Sequence, residues 1–285
     1  MWPEVKTISR MTTNGFISER VKDKELEKIF IESISEVDVS LDFANSNMHN
    51  SFRGVDTAFE WAIKTLELCN KFNKLTTIVF IGTDQTLEIE NLQGLFEIAS
   101  KYNCKLRMNI YRPTQGIDEH NSHYIASFHK IIDALTWISN TYKVLSIDDP
   151  LFGSILVDQY NGIDPSGSQS LRILSDGNIT PSTYLITDNF IRGNIKDKNV
   201  LEYLNNRLDF QSLTPKGCLT CEFSSKCKGG VLDRRYLWYK TFDSADPYCP
   251  IRNNVEEKLS KIKIVNNDEF TSIHHGYLPT MFFAV

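Results

Sequence analysis

The chain has 285 residues, 41% hydrophobic and 24% charged, with a formal net charge of −5. That is enough for one large α/β domain with a small appendage, and it leaves no basic block to serve as an electrostatic footprint on nucleic acid. No run reaches the roughly 20 apolar residues of a membrane span. The opening MWPEVKTISRMTTNG also lacks the apolar centre of a secretory leader, so the expected location is the cytoplasm, where thiols stay reduced.

The first half alternates in type. Residues 5–13 read as a strand ending in the turn Asn14-Gly15, followed by a charged helix over 18–33. EVDVSLD (36–42) alternates as a strand does. The segment 54–72 predicts a helix with Ala58, Trp61, Ala62, Thr65 and Leu68 on one face. Residues 76–82 form an apolar strand, LQGLFEIASKY a helix, 105–112 a strand, 123–142 a long helix and 142–148 a further strand. Strand–helix units with apolar strands predict a parallel sheet covered by helices, which right-handed crossovers curl toward a barrel.

The register changes after about residue 160. QYNGIDPSGSQS reads as a linker, and LRILSDGNITPSTYLI as two strands around the hairpin signal Asp176-Gly177. A short helix over 198–208 leads into GCLTCEFSSKCKGG. DRRYLWYKTF is helical, and VEEKLSKIKI closes the small domain. The expected organisation is therefore a barrel part over 1–160, a small domain over 161–267 and a tail over 268–285.

Four of the six cysteines fall in one stretch. Cys218, Cys221, Cys227 and Cys249 are separated by two, five and twenty-one residues, among Gly217, Gly229, Gly230 and Pro247. Two residues between thiols let a tight turn aim both sulfurs at one centre, and glycines permit the backbone such a loop needs. The spacing alone admits an iron–sulfur cluster, a zinc ion or disulfides. Cys69 and Cys104 stand apart and read as ordinary buried thiols.

Other polar residues admit two readings each. Ser40 and Asp42 sit at a strand end, where α/β proteins gather ligand sites, but strand-end capping has the same signature. Thr13 and Asn14 suit a ligand or a simple turn. Arg53 suits an anion or solvent. Arg107, Asn109 and Arg112 alternate toward one strand face, and the Arg112 fork suits a carboxylate or a salt bridge. Asp148-Asp149-Pro150 reads as a turn or helix cap rather than an acid–base pair.

These residues together resemble the radical S-adenosylmethionine proteins that carry a C-terminal auxiliary-cluster domain of the SPASM or twitch type. Thr13-Asn14-Gly15, Val39-Ser40-Leu41-Asp42 and Phe52-Arg53-Gly54 are similar to barrel motifs of that family. Ser175-Asp176-Gly177-Asn178-Ile179-Thr180-Pro181 and Gly193-Asn194-Ile195 are similar to its cluster-domain hairpin. The four cysteines match its second auxiliary cluster gap by gap. The resemblance implies a partial (β/α) TIM-like barrel followed by a small cluster domain. It implies one auxiliary [4Fe–4S] cluster on Cys218, Cys221, Cys227 and Cys249, and S-adenosylmethionine contacts from Thr13, Asn14, Ser40, Asp42 and Arg53. It further implies a peptide or protein substrate, with a reductant protein or an N-terminal fragment as partner, and no nucleic acid or membrane.

Two departures qualify the match. The defining CxxxCxxC, whose open iron binds and cleaves S-adenosylmethionine, does not occur, and the chain begins where the family's third barrel strand would lie. The positions of the family's other auxiliary cluster fall near Ser166, on Ser182 and on Val231, residues unsuited to hold iron. The expectation is an N-terminally incomplete enzyme of peptide, protein or cofactor modification, inactive alone. The alternative is a non-catalytic binding protein on the same scaffold, stabilised by a cluster or by zinc.

Overall fold

The computed structural model describes residues 9–114, 116–162, 164–166, 171–205, 213–255, 259–265 and 275–285. Expectations for residues 5–8, 206–208, 256–258 and His274 lie outside the described residues.

The first half builds β1 (Ser9–Thr13), α1 (Ile17–Arg20), α2 (Lys24–Ser33), β2 (Ile34–Ser40), α3 (Ser46–Arg53), α4 (Ala58–Lys71), β3 (Leu75–Gly82), α5 (Ile89–Lys101), β4 (Lys105–Ile110), α6 (Phe128–Thr141), β5 (Lys143–Ile147) and α7 (Pro150–Leu156). β1 to β4 run parallel and in order, as the alternation predicts.

Three helices differ from expectation, each because a cap intervenes. The charged helix splits because Asp23 accepts from the amides of Glu25 and Leu26 and so starts α2 afresh. The helix expected over 54–72 begins at Ala58. Gly54, at φ +67°, instead ends a preceding helix, α3, in the left-handed conformation. The long helix expected from residue 123 begins at Phe128, where Ser127 accepts from the Lys130 amide.

The sheet has six strands in the order β1-β2-β3-β4-β9-β5. β9 (Met281–Ala284) is the C-terminal end of the chain. It lies antiparallel to both neighbours, pairing Phe283 with Leu106 on one side and with Val144 on the other. A run of five apolar residues after Pro279 and Thr280 has too little length to reveal a strand.

Strand alternation separates two chemistries. Val37, Val39, Ile78, Phe80, Leu106, Met108, Ile110, Val144, Met281 and Phe283 form one apolar layer with Leu66, Leu92, Phe96, Ile131 and Leu135 from the helices. The opposite face carries Arg10, Thr12, Glu36, Asp38, Ser40, Thr77 and Arg107. These pair across strands: Arg10 Nε with Glu36 Oε2 at 3.1 Å, and Arg107 Nη2 with Asp38 Oδ2 at 3.0 Å.

The second half continues with β6 (Arg172–Ile173), β7 (Asn178–Thr180) and β8 (Gly193–Asn194), then α8 (Val200–Asn205), α9 (Ser224–Cys227) and α10 (Leu232–Tyr239). The hairpin turns at Asp176-Gly177, with Gly177 at φ +89°. A segment after the cysteines returns to the sheet, where Ile264 bridges Val144.

Candidate metal centre and sheet rim

Cys218, Cys221, Cys227 and Cys249 come from three turns and line one cleft, walled by Leu151, Ile155, Phe223, Ala245, Pro250 and Ile251. The free space among them is about 20 Å³, one water-sized body. No group of three His, Cys, Asp or Glu side chains among the described residues is gathered as a single-ion site. The cleft therefore joins the four sulfurs in one apolar chamber without pinching them to a point. By donor chemistry they fit a thiolate-held centre.

Local hydrogen bonds place the thiols. Cys218 N donates to Pro215 O, Cys221 N to Cys218 O, Cys227 N to Phe223 O and Cys249 N to Asp246 O, at 2.9, 3.1, 2.8 and 2.9 Å. Gly230 sits at φ +88°, and a Cβ there would lie 2.3 Å from that of Asp246. The loop thus needs glycine for both its conformation and its approach. Burial pushes the Cys227 thiol up to about 12, and burial plus neighbouring thiols raises Cys218 and Cys249. Four thiolates would here need cationic charge to hold them ionised.

Behind the cleft lies a buried clasp that the sequence did not disclose. Arg234 donates from Nε and Nη2 to Asp246, with Nη2–Oδ2 at 2.6 Å, and from Nη1 to Asp149 Oδ2 at 2.7 Å. Asp149 also accepts from the Leu151 and Phe152 amides and so caps α7, as the Asp-Pro pair predicts. Asp246 accepts from the amides of Val231 and Tyr248, fixing chain on both sides of the cysteine loop. Burial raises the Asp246 carboxyl against the pull of Arg234. Asp149 and Asp246 together hold the Arg234 guanidinium above its ordinary value although burial opposes it.

A second buried knot gathers Asp164, Ser166, Ser182 and the start of α10 at Leu232 and Asp233. Asp164 accepts from the Ser166 and Leu232 amides at 2.9 and 2.7 Å. Ser182 Oγ donates to Asp233 Oδ2 at 2.8 Å, and Arg112 Nε donates to Asp233 Oδ1 at 2.6 Å. Burial and the Asp233 charge push the Asp164 carboxyl up to about 6. The Arg112 fork thus meets a carboxylate of the chain itself.

The five candidate cofactor residues line the C-terminal rim of β1 and β2. Thr13 Oγ1 accepts from the Gly15 amide and Asn14 Oδ1 from the Phe16 amide, each at 3.1 Å, so both shape the turn. Asp42 is fully buried. Its Oδ2 accepts from Arg53 Nε at 2.7 Å and its Oδ1 from the Ile81 amide at 3.0 Å. Burial raises Asp42 while Arg53 opposes it. His49 Nδ1 accepts from the Asp42 amide at 3.2 Å, and burial with the Arg53 charge lowers the imidazole to about 4. The missed signal is an Asp and a His seven residues apart around the capped start of α3. Ser40 stands between these groups on β2. Cys69 and Cys104 are buried and their thiols are pushed up to about 11 and 12, first by burial.

No protein-family model matches the chain. Two curated proteins do. Mycofactocin maturase MftC of Mycolicibacterium smegmatis is 25% identical over 253 residues, covering 84% of this chain and 62% of the maturase. AdoMet-dependent heme synthase of Methanosarcina barkeri is 25% identical over 274 residues, covering 85% of this chain and 74% of the synthase. The resemblance to radical S-adenosylmethionine proteins is supported by both relatives. The chain spans less than two thirds of the maturase and carries a partial form of the scaffold. Solved structures agree on the fold. anSMEcpe with bound AdoMet and a Cp18Cys peptide superposes with TM-score 0.67 at 18% identity, covering 88% of this chain and 74% of that one. SuiB of Streptococcus suis bound to S-adenosylmethionine gives 0.57 at 16% identity, covering 86% and 59%. No described helix is long and apolar enough to cross a membrane.

Proposed function

We propose that this chain is the auxiliary-cluster and substrate-facing part of a radical S-adenosylmethionine system that modifies a peptide or protein. The observation that carries the reading is the convergence of Cys218, Cys221, Cys227 and Cys249 on one apolar cleft. Such a site suits one [4Fe–4S] cluster, which when bound would pass electrons or anchor a substrate group. The chain's own part is to hold four thiols in a dry wall and to brace their loops through Asp246 and Arg234. A second auxiliary cluster is not expected. Its positions carry Ser166, Ser182 and Val231, none of which offers a thiolate, and Ser182 is engaged with Asp233. The peptide assignment is supported by anSMEcpe, solved with a peptide bound.

Thr13, Asn14, Ser40, Asp42 and Arg53 form the rim at which S-adenosylmethionine would lie. Asp42 and Arg53 satisfy one another, so their contribution is a fixed rim geometry; Ser40, at the end of β2, would supply a polar contact to S-adenosylmethionine. The six cysteines contain no compact triad, and the four-cysteine site would be fully ligated. The chain alone is therefore expected not to cleave S-adenosylmethionine and to act with a partner that supplies an open iron, such as an N-terminal fragment, and with a reductant protein.

Anaerobic reconstitution with iron and sulfide tests the reading. It should give about four irons per chain and a broad band near ~400 nm. Stoichiometric zinc without iron would favour the zinc-stapled binding protein instead. Formation of 5′-deoxyadenosine by the purified chain above a no-protein control would overturn the assignment of the open iron to a partner.

A further inference from the structure

The polar face of the sheet and the loop just after β4 each hold an arginine whose hydrogen-bonding capacity the protein does not fill. Arg107 is 2% exposed and Arg112 5%. Arg107 gives Nη2 to Asp38, while its Nε and Nη1 are buried without a partner. Arg112 gives Nε to Asp233 and Nη1 to the Ile110 carbonyl, while its Nη2 is buried without a partner. Two residues after Arg107 on the same face of β4, the Asn109 Oδ1 is likewise buried and unfilled. Buried guanidinium N–H groups left unmatched are rare and costly, and they call for an acceptor.

Tyr184, from the loop after β7, ties the two arginines into one place. The Arg112 Cζ stands 4.7 Å over its ring, and Arg107 lies within electrostatic reach of its phenol oxygen. Tyr184 is itself only half-buried, so it separates this interior from solvent. The neighbouring charges are already matched: Arg10 takes Glu36 and Asp233 holds Arg112. Around Arg107, burial lowers the guanidinium against the pull of Asp38.

We propose that Arg107 and Arg112 form a receptor for a carboxylate on the substrate, with Tyr184 as its cover and Asn109 accepting a neighbouring N–H. The unfilled guanidinium N–H groups suit carboxylate oxygens in charge and hydrogen bonding, and β4 holds Arg107 in place. This rests on the reading of the chain as substrate-facing, but not on the metal at the four cysteines. The carboxylate comes either from an acidic side chain or from a chain end.

The test is calorimetric titration of the reconstituted chain, its iron content measured separately. Three probes are used: N-acetylglutamate α-amide, N-acetylglutamine with a free α-carboxylate, and N-acetylglutamine α-amide. Saturable binding of either acid, at least tenfold tighter than the neutral amide, is expected. The two acids distinguish side chain from chain end. Arg107→Gln should weaken that binding tenfold or more, and Arg107→Lys less. The double variant Asp38→Asn with Arg107→Gln removes both charges together and keeps the fold measurable by circular dichroism if the single variant unfolds. Equal binding of acid and amide, or unchanged binding by a folded variant lacking Arg107, refutes the receptor. Tighter binding of inorganic phosphate, or displacement of the acid by S-adenosylmethionine, would reassign it and overturn the substrate carboxylate. Loss of iron with retained acid binding would sink the cluster reading alone.

Discussion

Arg234 and Asp246, both fully buried, meet through a two-pronged contact, with Nε 3.0 Å from Oδ1 and Nη2 2.6 Å from Oδ2. Asp246 lies three residues before Cys249 and accepts from the amides of Val231 and Tyr248, so the pair fixes both ends of the cysteine loop. Removing one partner strands the other as a buried charge. Asp246→Ala should therefore cost about 3–5 kcal/mol, read by denaturant unfolding. The same variant should reduce metal affinity roughly 10–100-fold, as loss of a group that orients ligands does. A variant with full iron retention and wild-type stability would show that the clasp does not brace the site.

The ligand assignment separates the cysteines into two sets. Serine at any one of Cys218, Cys221, Cys227 or Cys249 should leave iron content after reconstitution well below half that of the parent. Cys69→Ala and Cys104→Ala should retain it, because both thiols are buried outside the cleft. Iron analysis of the six variants decides the matter. Iron loss on Cys104→Ala in a folded protein would redraw the site.

Asp164 gives a pH signature. Burial and Asp233 raise its carboxyl to about 6 from the ordinary 3.8. The folded state thus holds this proton at pH values where the unfolded chain has released it. Its contribution to stability is complete at low pH and is lost as pH rises from about 4 through about 6. Asp164→Asn should flatten that stretch of the stability profile and gain on the order of 1–3 kcal/mol at pH 7 relative to the parent. Unfolding midpoints of both proteins at pH 4, 5, 6 and 7 measure it; parallel profiles would remove Asp164 as the cause.

The rim pair makes a further prediction. Arg53→Met leaves the fully buried Asp42 with only amide donors and should destabilise the protein by about 2–3 kcal/mol, less than for a wholly buried partner because Arg53 remains partly exposed. Restoring most of that loss with Asp42→Asn in the same chain would identify the stranded charge as the cause.

The parallel part of the sheet was legible because β2, β3 and β4 each alternate or run apolar over several residues, bounded by turn residues. The cysteine site was legible because ligands close in sequence share a loop. Long-range placement was not. Asp246 and Asp233 look like ordinary loop and helix acids, and only the fold brings them to Arg234 and Arg112, the latter 121 residues away. The hairpin signal at Asp176-Gly177 fixed a turn, yet nothing local said that Tyr184 beyond it would cover Arg112. The helix boundaries shifted where Gly54 and Ser127 act as caps inside longer periodic stretches, because periodicity continues through a cap that geometry interrupts.

The position of β9 has a consequence for how the sheet can fail. Its Phe283 is a strand partner of both Leu106 and Val144, so β4 and β5 are held in one sheet through it. A change that loosens β9 would leave an unpaired edge on each neighbour at once, and each such edge is a template for pairing with another chain.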